Sequence, residues 1–179
     1  MAYAQARTLD EGLIPVVDIA PLRDGTYPMG VAKALHAASK NLGFIYVKGH
    51  GIPEDIIETA RNGAYAFFNQ KDDLKASVKV SPKHRGWLGQ GGAKMKDGAK
   101  ADLKESFIWG YENSDGDTFE DHDLRGANLW PSEKPDMRSQ AMTYFQHAHE
   151  VAHHLMRGFA LGLNLKEDFF LKTSSRPLS

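Results

Sequence analysis

The chain has 179 residues, of which 41% are hydrophobic and 25% charged, and its formal net charge is −1. Such a length and composition are typical of a soluble globular domain with its own core, and the near-neutral charge does not favour binding to nucleic acid or to an anionic membrane. The absence of cysteine excludes disulfides, thiolate metal sites and a cysteine nucleophile. Since the sequence shows neither a secretory leader nor an apolar stretch of about 20 residues, we expect a cytoplasmic protein without membrane partners.

The first third of the chain predicts two strands, each followed by a helix. The β-branched run Leu13–Ile19 predicts a strand, and Phe44–Val47 predicts a second one whose unbroken apolar run indicates burial. Pro28 suits the first turn of the first helix, which should stop at Gly43. The apolar stripe of that helix is Val31, Leu35, Ala38 and Leu42. Pro53 begins the second helix, with a stripe of Ile56, Ile57, Ala60, Ala64, Phe67 and Phe68.

The rest of the chain predicts a long irregular segment, a strand and a long helix. Five glycines make a stable helix or sheet unfavourable within Lys79–Lys104. Glu105–Tyr111 returns to alternation and predicts a strand with its aromatic side chains on one face. Asn113–Asp123 is an acidic loop, Lys134–Leu163 is a long amphipathic helix, and Glu167–Leu171 predicts one further helical turn.

An ordered set of short motifs carries a family resemblance. The set is Pro15-Val16-Val17-Asp18-Ile19, Ala34-Leu35, Ala37-Ala38, Gly43-Phe44-Ile45-Tyr46-Val47, His50-Gly51-Ile52, Phe67-Phe68, Lys75, Arg85-Gly86-Trp87, Lys104-Glu105-Ser106-Phe107, Trp130-Pro131, Tyr144 and Leu161-Gly162-Leu163. In this order the motifs resemble the N-terminal region of the isopenicillin N synthase-like non-haem iron(II)/2-oxoglutarate-dependent oxygenases. The resemblance extends from Ile14 to Phe170.

The resemblance implies an α+β fold, namely the N-terminal helical and strand region of a double-stranded β-helix (jelly-roll) oxygenase, with most of the barrel absent from this chain. We expect an N-terminal arm at 1–12, an oxygenase N-terminal domain at 13–172, and a linker at 173–179 toward the missing catalytic jelly roll. The early strands would extend the sheet of that barrel, and the long helix would support it.

The resemblance also implies iron(II) held by two histidines and one carboxylate, with open positions for oxygen and co-substrate. In the family the first two ligands form a His-x-Asp motif, and an Arg-x-Ser motif binds the 2-oxoglutarate carboxylate. This chain contains no His followed two residues later by Asp or Glu, and no Arg-x-Ser. We therefore expect no catalytic or metal-binding residue here. Fe(II) and 2-oxoglutarate would bind to the C-terminal catalytic half of the same protein, which acts on a small organic substrate.

The predicted contribution of this chain to the site is part of the substrate pocket. The resemblance places the segment around Arg85 and Trp87 along the pocket, where a guanidinium beside an aromatic ring can bind a carboxylate. Three neighbouring residues complete the predicted substrate-binding set, Lys104, Ser106 and Ile108. The basic run between Lys79 and Lys104 lacks a phosphate-binding Gly-Lys-Ser/Thr motif and interleaved aromatic residues, so nucleic acid is not an expected partner.

Two alternatives come from other functional classes. The chain could be a non-catalytic fragment or interaction module without an enzymatic half. His149-Glu150-x-x-His153 matches the zinc peptidase pattern, in which two imidazoles share one face of a helix and a glutamate serves as base. The third ligand of such sites is not found at its usual spacing, and the helical wheel places both histidines on a solvated face. We therefore favour the solvated face over a zinc site.

Overall fold

The computed structural model describes residues 12–93, 102–112, 123–174 and 177. The predicted arm at 1–12, the acidic loop at 113–123 and the linker at 173–179 lie mainly outside the described residues, so these boundaries stay predictions. The described chain divides into two units. Unit 1 comprises the described part of Met1–Gly51 together with His149–Ser174, and unit 2 is the described part of Ile52–Ala148 and of Ser175–Ser179.

Unit 1 is built on a parallel strand pair joined by helices. Strand β1 (Val16–Asp18) pairs with β2 (Tyr46–Lys48) in the register Val16↔Tyr46. Helices α1 (Ala20–Arg23) and α2 (Pro28–Asn41) form the connection that parallel strands require. The buried core consists of Val17, Ile19, Leu22, Val31 and Leu35.

The predicted first helix is confirmed, but the predicted burial of the second strand is wrong. Helix α2 begins at Pro28, and Gly43, at φ +78°, lies just beyond its end. By contrast, the side chains of Phe44 and Tyr46 are 70% and 60% exposed. Only alternate residues of β2 can face the core, and the residues that pack there are Ile45 and Val47. An unbroken apolar run therefore did not indicate burial on both faces.

Unit 2 combines helices with an antiparallel hairpin. Helix α3 (Glu54–Phe68) follows Pro53, and α4 (Asp72–Lys75) continues into a 3₁₀ turn at Ala76–Val78. Strand β3 (Gly86–Leu88) pairs with β4 (Ser106–Ile108). The buried core of this unit is Phe67, Val78, Trp87 and Met137, with Phe68, Phe107, Leu129 and Trp130 packed against it.

Strand β3 contradicts the prediction of an irregular segment throughout Lys79–Lys104. The strand forms because β4, about twenty residues further along the chain, supplies its hydrogen-bonding partners. Gly86 has φ +109°, and a side chain there would collide with the carbonyl oxygen of Val78. This glycine therefore permits the strand to start rather than preventing it.

The long predicted helix is confirmed as α5 (Asp136–Gly162), whose first part, up to Ala148, belongs to unit 2 and the remainder to unit 1. In unit 1, Gly158 allows close approach of α2, because a Cβ atom there would lie 2.6 Å from Leu35 Cδ1. The further helical turn expected near Glu167–Leu171 is observed as a turn that ends in a 3₁₀ helix at Leu171–Thr173. Among the described residues, no helix has the length and apolar character needed to cross a membrane.

A polar network around Glu112 ties the segment after β4 to α5 within unit 2. Oε1 of Glu112 accepts hydrogen bonds from Trp130 Nε1 at 2.7 Å and from Asn128 Nδ2 at 3.0 Å. Oε2 accepts from Arg138 Nη2 at 2.7 Å. Burial alone would raise the pKa of Glu112, but these hydrogen bonds outweigh it, so the pKa lies below the ordinary value.

We expect Glu112→Gln to cost about 1–3 kcal/mol of unfolding free energy at pH 7, because hydrogen bonds to a charged group are lost. The lowered pKa means that the carboxylate stabilises the fold fully above its unfolded value of 4.5, and that this contribution disappears as the pH falls through the folded pKa. Urea midpoints of wild type and variant should therefore converge below about pH 4.5. Glu133→Gln, at an exposed site, should match wild type at pH 7. A pH-independent difference would contradict the prediction.

Candidate functional site: the β3–β4 hairpin of unit 2

The register of the hairpin sorts its side chains onto two faces. Leu88 lies opposite Ser106, and Gly86 lies opposite Ile108, so Leu88, Ser106 and Ile108 share one face, here called the outer face. Trp87 lies opposite Phe107 on the inner face, and both belong to the unit 2 core cluster. Lys104 precedes β4 by two residues, and its Nζ lies 3.2 Å from Asp102 Oδ2.

A tight turn leads the chain into β3. Ser81 N donates to Arg85 O at 2.8 Å, and His84 N donates to Ser81 O at 2.9 Å. His84 has φ +55°, a value that histidine tolerates better than most residues. The turn thus fixes the backbone of Arg85 immediately before the strand.

Arg85 is buried against its own turn, with 4% of its surface exposed. Its Nη1 donates to the carbonyl oxygens of His84 at 3.0 Å and Lys83 at 3.4 Å. Burial lowers the pKa of Arg85, since the charged guanidinium loses hydration. These contacts direct part of the guanidinium to the main chain that precedes β3.

Trp87, also buried, takes part in a charged cluster on the inner face. Glu105 Oε2 accepts a hydrogen bond from Trp87 Nε1 at 2.6 Å and another from Lys75 Nζ at 2.7 Å. The ammonium group lies 5.1 Å from the centre of the Trp87 ring, within the range of a cation–π contact. We call Lys75, Trp87 and Glu105 the carboxylate clamp.

Lys75 is held as a buried cation, with 4% of its surface exposed. The hydrogen bond to Glu105 raises the pKa of Lys75 despite the opposing effect of burial. Lys75 and Glu105 belong to the motifs of the family resemblance, but the sequence alone predicts no role for them. The alternation of strand residues could have indicated a role for Glu105. An even number of positions separates Glu105 from the inward aromatic residues, so its side chain is expected on the same face, and a carboxylate that points inward requires a partner.

A cavity of about 320 Å³ lies beside the inner face, bordered by α3, the β4 segment and α5. Its wall is mainly apolar and aromatic, and its lining includes Phe68, Phe107, Trp109, Met137, Ala141 and Tyr144. The five predicted substrate-binding residues all lie in the described part of the chain, and they do not line this cavity. The hairpin separates them. Ser106 and Ile108 are on the outer face and Trp87 is on the inner one, while Arg85 and Lys104 precede different strands at opposite ends of the antiparallel ladder.

The histidines of the zinc peptidase pattern meet a main-chain carbonyl in unit 1. Nε2 of His149 and Nε2 of His153 lie 3.2 and 3.3 Å from Ser174 O, and their rings are 4.2 Å apart between centroids. Both histidines are half-buried, so the predicted solvated face is exposed only in part. The returning segment at Ser174 covers them. Glu150 is exposed, and the described residues contain no group of three or more His, Cys, Asp or Glu able to hold a metal.

Comparison with known proteins decides the family. Residues 14–133 match the sequence profile described as the N-terminal region of non-haem dioxygenases in morphine synthesis. This chain belongs to that family. The match confirms the 2-oxoglutarate-Fe(II) oxygenase family resemblance found from the ordered motifs.

Curated relatives match most of this chain with modest identity. The 1-aminocyclopropane-1-carboxylate oxidase of Dictyostelium mucoroides is 28% identical, over 92% of this chain and 46% of its own. The homoarginine-6-hydroxylase of Glycine max is 31% identical, over 86% of this chain and 50% of its own. The chain thus spans about half the length of the curated relatives it matches.

Solved structures confirm the fold class. A full-length Neurospora crassa protein, solved in complex with α-ketoglutarate, is 27% identical and superposes with a TM-score of 0.72 over 91% of this chain and 51% of its own. A 2OG-Fe(II) oxygenase family protein of Caulobacter crescentus, at 24% identity, gives a TM-score of 0.77 over 89% of this chain and 51% of its own. The mixed helix and strand arrangement is therefore that of the N-terminal part of these enzymes.

Proposed function

We propose that the natural protein is an iron(II)- and 2-oxoglutarate-dependent oxygenase of a small organic molecule. This chain supplies its N-terminal scaffold and one wall of the substrate pocket, and a jelly-roll barrel supplies the rest. Family membership supports the reaction class, and curated relatives carry names of this chemistry, including a 2-oxoglutarate-Fe(II) type oxidoreductase of Metarhizium rileyi. In this reaction O₂ is the oxidant. It takes two electrons from 2-oxoglutarate, which leaves as succinate and CO₂, and two from the organic substrate.

The residues that the structure describes do not fit the iron site itself. Such a site needs two histidines and a carboxylate on adjacent positions of one scaffold. The described residues present no group of three such side chains, and the sequence has no His-x-Asp/Glu motif. The iron ligands and the 2-oxoglutarate site therefore belong, in this proposal, to the barrel.

The outer face of the hairpin is the proposed substrate-binding surface of this chain. Ser106 offers a hydroxyl, and Ile108 and Leu88 offer apolar surface, all half-buried in this chain. Lys104, with 60% of its side chain exposed, adds a cation at the start of β4. Arg85 and Trp87 are the other two predicted substrate-binding residues. In this chain Arg85 donates to His84 O in the turn before β3, and Trp87 donates to Glu105 on the inner face.

The reaction class is tested on the purified natural gene product. With Fe(II), O₂ and 2-oxoglutarate, we expect succinate formation that a chelator abolishes. A panel suggested by the names of relatives would then be screened for stimulation, namely 1-aminocyclopropane-1-carboxylate, homoarginine, validamycin A and thymine. Failure to form succinate with full iron occupancy would exclude the proposed reaction.

The wall is tested by Ile108→Ala, measured with the panel compound that stimulates succinate formation most. Removing buried apolar contact should raise the KM for that compound about 10- to 100-fold, as expected when methylene contacts in a pocket are lost. The KM for 2-oxoglutarate should change less than about twofold, since that co-substrate binds elsewhere. Leu103→Ala is the matched control, because Leu103 lies close by in sequence and is 91% exposed. Equal effects of the two variants would remove Ile108 from the wall.

A further inference from the structure

Glu105 lies between two proposed wall residues in sequence, yet its carboxylate points away from the wall into the carboxylate clamp. One oxygen, Oε2, accepts from Lys75 Nζ at 2.7 Å and from Trp87 Nε1 at 2.6 Å. Lys75 belongs to α4 and also donates to Phe68 O, at the end of α3, at 3.3 Å. A single carboxylate thus connects the segment entering β4 with β3 and with both helices.

We propose that Glu105 is a positioning residue whose clamp sets the placement of Ser106 and Ile108 on the substrate wall. This proposal rests on the proposed function, because the wall itself is part of that function. Glu105 does not touch the substrate in this account. It acts through the backbone of its neighbours.

The shortness of the hairpin explains why a clamp is needed. The paired ladder has only three residue pairs, Gly86↔Ile108, Trp87↔Phe107 and Leu88↔Ser106. The apolar contacts of Phe107 on the inner face hold the strand against the core, but apolar contact is non-directional and leaves rotation and sliding weakly specified. Hydrogen bonds to a carboxylate are short and directional. The clamp therefore fixes the orientation of β4, which packing alone does not determine.

A small displacement of the wall has a large functional effect, because binding and catalysis depend on placement to within a fraction of an ångström. Release of Glu105 from Lys75 should weaken binding of the organic substrate while leaving the more distant 2-oxoglutarate site intact. Loss of overall structure alone would instead lower the amount of active enzyme and leave both KM values unchanged.

The placement of the wall is measured with cysteines introduced one at a time. Because this chain contains no cysteine of its own, each labelled peptide from it reports on one chosen position. Ser106→Cys reports on the wall. Leu103→Cys reports on the exposed neighbour, and Ala141→Cys reports on the packing of α5 in unit 2. Each reporter is placed in the natural full-length protein with and without Glu105→Gln, and the rate of N-ethylmaleimide labelling is followed peptide by peptide in a mass spectrometer.

We expect Glu105→Gln to accelerate labelling of the thiol at position 106 at least fivefold more than at position 141, where the rate reports the general loss of stability, and to change the rate at the exposed position 103 by less than twofold. Similar acceleration at positions 106 and 141 would show general loosening of unit 2 and overturn the proposal. An unchanged rate at 106 would also overturn it. If Glu105→Gln does not yield folded protein, the double substitution Lys75→Met, Glu105→Gln decides, because it leaves no buried unpaired charge and keeps an oxygen for Trp87 Nε1.

The functional readout uses the stimulating panel compound. In Glu105→Gln, or in the double substitution with Lys75→Met, the KM for this compound should rise at least tenfold, and more succinate should form per molecule of oxidised product. The KM for 2-oxoglutarate should stay within twofold of wild type. Glu167→Gln is the matched control, since it breaks the ion pair of Glu167 with Arg157 in unit 1 and should leave both KM values unchanged. An unchanged KM and coupling ratio in the variants would refute positioning, whereas absence of succinate from wild type would refute the proposed reaction.

Discussion

Replacement of Phe67 by alanine is expected to lower the free energy of unfolding by about 3–5 kcal/mol, the range for deletion of a buried aromatic ring. Phe67 is fully buried and meets Phe68 and Phe107 edge to face, with ring centroids 5.4 and 4.9 Å apart. It lies at the end of α3 and contacts the inner face of β4, so the cavity left behind would separate helix from hairpin. Few single substitutions in unit 2 should cost more.

Tyr65 provides the matched control for Phe67, because it lies on the same helix with 60% of its surface exposed. Tyr65→Ala should change stability by about 0.5 kcal/mol or less. Urea unfolding followed by tryptophan fluorescence measures both, since Trp87, Trp109 and Trp130, the tryptophans of this chain, all lie in unit 2. Equal losses for the two variants would mean that Phe67 is not the centre of the unit 2 core.

The long elements of this fold could be predicted from sequence because their signals are local. Helix α2 has Pro28 at its start, Gly43 beyond its end and an apolar stripe between them, and α5 repeats such a stripe over seven turns. Strand β3 could not be predicted in this way. Its hydrogen bonds come from β4, and the glycines that suggested a loop are compatible with the strand once that partner is present.

The faces of elements were harder to predict than the elements themselves. Phe44 and Tyr46 are exposed although their run is wholly apolar, because β2 has one face on the core and composition does not show how many faces are covered. His149 and His153 are half-buried although the helical wheel is polar there, because the chain returns at Ser174 and covers them. Both differences concern contacts made by distant parts of the sequence.

The candidate site, too, could be predicted from sequence only where the evidence is local. The family resemblance found the hairpin residues Arg85, Trp87, Lys104, Ser106 and Ile108, and their substrate contacts stay a prediction. The register that separates Trp87 from Ser106 required the structure, as did the pairing of Lys75 with Glu105 across thirty residues of sequence. A lysine in a short helix with two aspartates reads as a solvent-exposed charge until the strand that buries it is known.

The ion pair between Lys75 and Glu105 gives the second large effect expected in unit 2. Glu105→Gln should cost about 3–5 kcal/mol of unfolding free energy, because it removes the shorter ion pair of the buried Lys75 side chain and leaves the exposed Asp72 carboxylate as its acidic partner. Asp72, the other acidic partner of Lys75 at 3.1 Å, has 82% of its side chain exposed and cannot replace Glu105 as a buried counterion. Asp72→Asn should therefore cost only about 0–1 kcal/mol, as exposed ion pairs do.

A double-mutant cycle measures the interaction energy between Lys75 and Glu105 separately from their other contacts. Lys75→Met combined with Glu105→Gln removes both charges, and we expect it to recover at least half of the loss seen in Glu105→Gln, because no unpaired charge remains buried. The raised pKa of Lys75 fixes the pH dependence, since its contribution is complete below the unfolded value of 10.5 and disappears as the pH rises through the folded pKa. The stability difference due to Lys75 should thus persist at neutral pH and shrink in strong alkali. Additive losses in the cycle would mean that Lys75 and Glu105 do not stabilise each other.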